Sequence, residues 1–279
     1  MKKGINIWSF KGDTPLEECM KLAKKAGYDG IELALSEKGD INLKSSEGEL
    51  IKIRGMAEDI GLELPSLATG LFWSYSLTSN NKDIRDKAKD IVKKQLEAAA
   101  VLGCNTILVV PGAVGVDFIR DCEIVSYDCA YEYSLEAFNE LKTYAEKLKV
   151  SIALENVWNK FLLSPLETRD FIDKIGSLYV GSYLDVGNLI YIGYPEQWVR
   201  ILGSRIKKVH FKDFKRSVGN LSGFVDLLAG DVNFPEVMKA FKEIGYDDYV
   251  IGELSGYKHC SNQIVFNGAS SMGAIINNK

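Results

Sequence analysis

The sequence predicts an α/β protein in which eight parallel strands, each followed by a helix, close into a (β/α)8 barrel spanning residues 1–279 as a single domain. Three observations lead there. Eight short runs rich in Ile, Val, Leu and Tyr recur at 4–9, 30–35, 62–68, 105–110, 150–155, 179–185, 206–211 and 248–253. Their apolarity is continuous rather than alternating, as a strand buried on both faces requires. Charged segments with helical spacing separate them, so strand and helix alternate strictly. No Gly-x-Gly-x-x-Gly occurs, which speaks against an open dinucleotide-binding sheet.

The elements follow from local signals. In 14–26, Leu16, Met20, Leu22 and Ala23 fall on one stripe with Lys and Glu opposite. Thr14 reads as its N-cap, Pro15 as a first-turn proline, and Glu17 and Glu18 as first-turn acids. A longer helix over 82–102 carries Ile84, Ala88, Ile91, Val92, Gln95 and Ala99 along its inner side. A weak repeat joins helices to strands: KKAGYDGIEL at 24–33, AEDIGLELPSL at 57–67, AVLGCNTILV at 100–109 and KEIGYDDYVIGEL at 242–254. In each, a glycine follows an apolar helix end, as a left-handed residue past the helix terminus would, and a strand begins a few residues later. Two strand-to-helix connections are long, 69–81 and 212–233. Long connections of this kind build or cover sites. The cluster Leu71, Phe72, Trp73 and Tyr75 is read as a lid over a substrate, with a packed rim patch as the alternative. The stretch 261–279 leaves a final helix undecided.

Composition sets bounds. Apolar residues make up 46 % of the chain and the net charge is −4, which gives no electrostatic reason to bind nucleic acid or an anionic membrane. No apolar run approaches a membrane span, and the start GINIWSF is too short and polar for a signal peptide. Five scattered cysteines without a CxxC fit a reduced, cytoplasmic protein.

The chemistry concentrates at the ends of the last four strands. Glu155 ends SIALE, Asp185 ends SYLD, His210 stands in KKVHF and Glu253 follows YVIG. In a parallel barrel the C-terminal strand ends meet at one mouth. Each residue alone has a structural explanation as a cap, an ion-pair partner or a core histidine. Four together after apolar runs point to a shared ion, because buried charges are costly unless paired or metal-bound. Carboxylates with one imidazole suit Mn²⁺ or Mg²⁺.

The motifs LEN, LDVGN, VHFKDF and GEL on eight strand–helix units resemble the sugar phosphate isomerase/epimerase family of xylose isomerase-like TIM barrels, which includes ketose 3-epimerases and hexulose-6-phosphate isomerases. The resemblance covers nearly the whole chain and is strongest from about 150 to 254. It implies one divalent ion on Glu155, Asp185, His210 and Glu253, commonly Mn²⁺, with Mg²⁺, Co²⁺ or Zn²⁺ as alternatives. It implies Glu155 and Glu253 as the acid/base pair, Arg216 as a substrate contact six residues past the histidine, and Glu32 as an acid near the pocket floor. Barrels of this family often form homo-oligomers. Asn188 departs from the pattern: it replaces a histidine, and can donate a hydrogen bond to a sugar hydroxyl but cannot titrate. No counterpart exists for the substrate-contacting glutamate after the fifth strand, where Trp158, Asn159, Lys160 and Phe161 stand. Lys160, Lys212 and Lys215 suggest a phosphorylated substrate, or are solvated rim lysines.

The expected function is metal-dependent epimerisation or isomerisation of a ketose or ketose phosphate. A proton α to a ketone is weakly acidic, and a divalent ion stabilises the enediolate left behind. Return to the opposite face of the same carbon gives an epimer, and return to the neighbouring carbon gives an aldose. Two alternatives stand on the same site: dehydration of a keto-inositol, and a non-catalytic sugar-binding barrel. An abasic-site endonuclease is disfavoured by only two histidines and an acidic balance.

Overall fold

The computed structural model describes residues 1–277. The barrel strands are β1 (Lys2–Asn6), β2 (Gly30–Leu35), β3 (Leu67–Thr69), β4 (Thr106–Val109), β5 (Ser151–Glu155), β6 (Val180–Asp185) and β7 (Ile206–Phe211). A short antiparallel pair, β8 (Asp213–Phe214) and β9 (Phe224–Val225), follows, and β10 (Tyr249–Gly252) completes the barrel. All barrel pairings are parallel, and β1 closes the ring by pairing with both β2 and β10.

The helices are α1 (Leu16–Ala26), α2 (Glu47–Ile60), α3 (Lys82–Leu102), α4 (Tyr127–Leu148), α5 (Pro165–Ile175), α6 (Val186–Leu189), α7 (Pro195–Leu202), α8 (Phe234–Glu243) and α9 (Gln263–Ile276). The glycine punctuation behaves as the repeat predicts. Gly27, Gly61 and Gly103 cap α1, α2 and α3 at φ of 88°, 77° and 82°. A side chain there would be strained, so each glycine both ends a helix and turns the chain toward the next strand.

Some boundaries shift for physical reasons. β1 ends at Asn6, because the Asn6 side chain accepts the Trp8 N–H at 2.7 Å and turns 7–9 into a 3-10 helix. The predicted strand 62–68 shrinks to Leu67–Thr69 plus a bridge at Glu63, with Pro65, which has no N–H, between them. Helix α1 starts after Pro15, which is extended at ψ 142°, so Thr14 lies outside the cap. The undecided C-terminus forms the regular helix α9, which buries Ile264, Val265, Met272 and Ile275. Among the described residues no helix is long and apolar enough to cross a membrane.

Two cores result from strands buried on both faces. The larger lies between barrel and helices. Inside the barrel, Ala68, Leu108, Ala153, Tyr183, Tyr249 and Ile251 form a separate layer. Small and large residues alternate there, and the fit is tight. A Cβ on Gly30 would approach the Glu63 carbonyl oxygen to 2.8 Å and the Tyr249 ring to 3.0 Å. This plug supports the polar layer above it.

The long connection after β7 is organised by one carboxylate. Buried Asp213 accepts backbone N–H groups from Phe214, Leu228, Gly230 and Val232 at 2.9–3.1 Å. A Cβ on Gly230 would lie 2.2 Å from Asp213 Oδ1. Gly230→Ala therefore forces the loop off its anchor. The expected loss is about 1–3 kcal/mol, read as a lowered midpoint in thermal or urea denaturation, and an unchanged midpoint would show that the loop shifts at no cost.

Candidate functional site

Glu155 and Asp185 are the last residues of β5 and β6, His210 is the penultimate residue of β7, and Glu253 directly follows β10. Register sets them side by side: Asp185 pairs with His210, which pairs with Ile251. Each offers one ligand atom, and the four atoms all lie within 4.8 Å of one another. His210 Nδ1 is 3.0 Å from Glu253 Oε2, 3.4 Å from Glu155 Oε1 and 3.8 Å from Asp185 Oδ2.

Beneath this cluster is a network the sequence reading did not foresee. Glu32 is fully buried and accepts from Asn6 Nδ2 at 2.6 Å, Ser66 Oγ at 2.7 Å and Tyr183 OH at 2.5 Å. Its fourth partner is His210 Nε2 at 2.7 Å. Burial opposes the charge on Glu32, but His210 and the hydroxyls outweigh it and hold the carboxyl below its usual range. An ionised carboxylate only accepts, so Nε2 carries the proton and Nδ1 faces the carboxylates. Glu32 was expected as an acid near the pocket floor, in reach of substrate. With no exposure and every contact given to the barrel interior, it lies behind His210 instead and orients the ring.

Asp185 is fixed from two sides. Its Oδ1 accepts the Asn188 N–H at 2.8 Å, making Asp185 the cap of the short α6. Its backbone N–H and C=O pair with the Asn156 side chain, each at 2.9 Å. Gly187 permits the close approach of the β7 end, since a Cβ there would lie 2.4 Å from Lys212 Cβ. Asn188 is buried beside the cluster, with Nδ2 donating to Asn156 O at 3.0 Å.

Lys212 overturns its reading as a solvated rim lysine. Its Nζ lies 2.9 Å from Glu253 Oε2 and 3.1 Å from Asp185 Oδ2, and only 16 % of its side chain is exposed. The angle to Asp185 does not make a hydrogen bond, so the buried Asp185 Oδ2 has no hydrogen-bond partner. The two glutamates are pushed apart electrostatically. Burial drives the Glu155 carboxyl up to about 7, against the pull of His210 and Lys212. Burial also opposes ionisation of Glu253, but there Lys212 and His210 win and hold it at about 2.

The other expected contacts are not brought to the cluster. Arg216 donates from Nε to Ile190 O at 3.1 Å and lies over the Tyr194 ring. Lys160 pairs with Asp117 at 2.5 Å on the rim. Trp73 packs edge-on against Phe118 at 5.2 Å, beside buried Phe72, and Tyr75 OH donates to Glu37. The aromatic segment is therefore a packed rim patch rather than a free lid. The wall near the cluster comes from elsewhere. A cavity of about 360 Å³ is lined by Trp8, Lys212, Phe224, Asp226, Glu253 and Ser255, among others. Trp158 stacks on Phe224 at 5.3 Å and donates from Nε1 to Asn188 O. A larger depression of about 470 Å³ sits at the strand starts around Lys208 and Asp248, at the other end of the barrel. It is remote from these groups.

A family model described as xylose isomerase-like TIM barrel matches residues 20–269. The chain belongs to that family. L-ribulose-5-phosphate 3-epimerase UlaE of Escherichia coli K12 is 23 % identical over 264 residues, covering 88 % of this chain and 86 % of its own. Among solved structures, the D-psicose 3-epimerase of Clostridium cellulolyticum H10, determined with D-tagatose, superposes with a TM-score of 0.80 at 18 % identity, covering 98 % of this chain and 97 % of its own. The IolI protein with a bound zinc atom gives a TM-score of 0.81 at 19 % identity, covering 100 % and 99 %. In this family barrel, the four converging side chains sit at the mouth formed by the C-terminal strand ends.

Proposed function

We propose that the chain is a divalent-metal-dependent epimerase or isomerase of a ketose or ketose phosphate. The observation that carries the reading is the convergence of Glu155, Asp185, His210 and Glu253 to within 4.8 Å. Ligands on opposite sides of one ion stand about 4.2 Å apart, so a small contraction suffices. The chemistry of the set fits an ion too. Three carboxylates and one imidazole share a buried space, and Asp185 Oδ2 makes no hydrogen bond, with only the Lys212 ammonium at 3.1 Å beside it. These four residues would hold the ion, which supplies stabilisation for negative charge developing on neighbouring substrate oxygens.

The chain's own groups do the rest. Glu155 and Glu253 stand on β5 and after β10, on either side of His210, and exchange the proton of the carbon next to the ketone. Beside a bound ion their ionised forms would be favoured, which would make Glu155 available as a base at neutral pH despite its burial. Asn188 and Asn156 hold Asp185, and Glu32 holds His210. Trp8, Phe224 and Leu254 give the cavity beside the carboxylates an apolar lining. The names of the relatives, ketose and ketose-phosphate 3-epimerases, favour epimerisation at C3. Of the lysines that suggested a phosphate, Lys160 and Lys212 are already ion-paired.

The test is conversion of a panel of ketoses and ketose phosphates, followed chromatographically before and after chelation and on Mn²⁺ reloading. A metal-restored C3 epimer supports the reading, and full conversion by chelated protein rejects it. Glu32→Gln removes one charge while keeping shape. Outer partners of metal-bound histidines are typically worth 10–100-fold in affinity. A loss of about that size is expected by titration calorimetry with Mn²⁺, and wild-type affinity would mean that Glu32 does not orient His210.

A further inference from the structure

Lys212 follows His210 by two residues, directly past the end of β7, and its ammonium reaches the same cluster. Its ammonium lies against Asp185 Oδ2 and Glu253 Oε2, the same two oxygens that His210 Nδ1 approaches at 3.8 and 3.0 Å. A divalent ion bound at about 2.1 Å from those oxygens would sit within a few ångströms of Nζ. Two cations at that separation in a buried space repel strongly, so the ammonium and the ion compete for one pair of carboxylates.

Resting on the metal reading above, we propose that Lys212 is a placeholder for the ion. It holds Asp185 and Glu253 together until the ion takes these oxygens, and is then displaced into the adjoining cavity. The exchange needs only rotation of the lysine stem, whose four carbons carry the charge on a flexible arm. The chain near its Cβ stays fixed by the close packing against Gly187. The open direction is the cavity of about 360 Å³ lined by Trp8, Phe224, Asp226 and Ser255. The Phe224 ring centre is already 5.5 Å from Nζ and offers the displaced ammonium a cation–π face. There the ammonium becomes a donor to a substrate oxygen. The device also accounts for how the carboxylates fold side by side with no ion required, since the Lys212 ammonium sits between Asp185 and Glu253.

The test labels amines of metal-stripped wild-type protein with an acetylating N-hydroxysuccinimide ester at fixed pH, with and without saturating Mn²⁺, and reads each lysine by peptide mass spectrometry. Exposed Lys215 is the internal control. Lys212 labelling is expected to rise several-fold with Mn²⁺ while Lys215 stays constant. In parallel, calorimetry of Lys212→Met and Lys212→Gln should give Mn²⁺ binding about tenfold tighter than wild type, because no ammonium has to leave. One bound ion with unchanged Lys212 labelling, or with unchanged affinity in both variants, overturns the exchange and leaves the metal reading standing. No ion uptake by wild type overturns both.

Discussion

Glu155→Gln and Glu253→Gln should each lower turnover on the epimerised ketose by about 10³-fold or more, with the fold retained. General acid–base groups contribute roughly 10²–10⁴-fold, and each glutamate would also lose a charge that holds the ion. Gln keeps the volume and one oxygen but has no proton to exchange. Stability should hold in Glu155→Gln, because burial already disfavours the Glu155 charge and removing it eases the repulsion with Glu253. Glu155→Gln should leave the unfolding free energy within about 1 kcal/mol of wild type, the scale of ordinary substitutions, whereas Glu253→Gln gives up its charge pairs with Lys212 and His210 and should be the less stable of the two. Isotope wash-in separates the two roles. A variant lacking the base on one face should still release a proton slowly from one epimer and not from the other. Full activity in either variant would end the two-glutamate mechanism.

His210→Ala should have the largest combined effect. The ring is fully buried between two carboxylate layers, with Glu32 Oε1 at 2.7 Å from Nε2 and Glu253 Oε2 at 3.0 Å from Nδ1. It also packs against Tyr183, with ring centres 4.5 Å apart. Truncation leaves the Glu32 charge buried without its strongest partner. Breaking a buried pair in this way costs about 3–5 kcal/mol, far above the cost at Glu155. Metal content, measured by mass spectrometry of the purified protein, should fall well below one ion per chain. Stoichiometric metal in His210→Ala would remove the histidine from the centre.

Much of this architecture is legible because a barrel writes its plan locally. Each strand buried on both faces is a short apolar run, and α1, α2 and α3 end on a left-handed residue, so Gly27, Gly61 and Gly103 mark their boundaries. The four converging residues are legible for the same reason: a charge that ends an apolar strand is conspicuous. What stays hidden depends on parity around the ring. Glu155 ends its strand, whereas Glu32 is the third residue of β2 and sits lower in the barrel, level with Asn6 through the β1–β2 register. It therefore meets Ser66, Tyr183 and His210 from below. Lys212 was hidden by its residue type. A lysine in a connection reads as solvated, and only its position two residues past His210, just beyond the end of β7, hints that it points inward. Arg216 has the expected spacing, but Ile190 O and Tyr194 engage it at the rim. The aromatic segment at 71–75 carries no signal that separates a lid from a packed patch. Burial of Phe72 and the Trp73–Phe118 contact decide that in three dimensions.

The most direct measurement is proton exchange followed by NMR in D₂O. Protein reloaded with Mg²⁺, which does not broaden the spectra, is incubated with each ketose and ketose phosphate. Deuterium appearing at C3 together with the C3 epimer is the predicted result. It should vanish on chelation and in Glu155→Gln and Glu253→Gln. Exchange at C1 or C2 with aldose formation would make the enzyme an isomerase. No exchange into any substrate by metal-loaded protein would contradict proton transfer at this site.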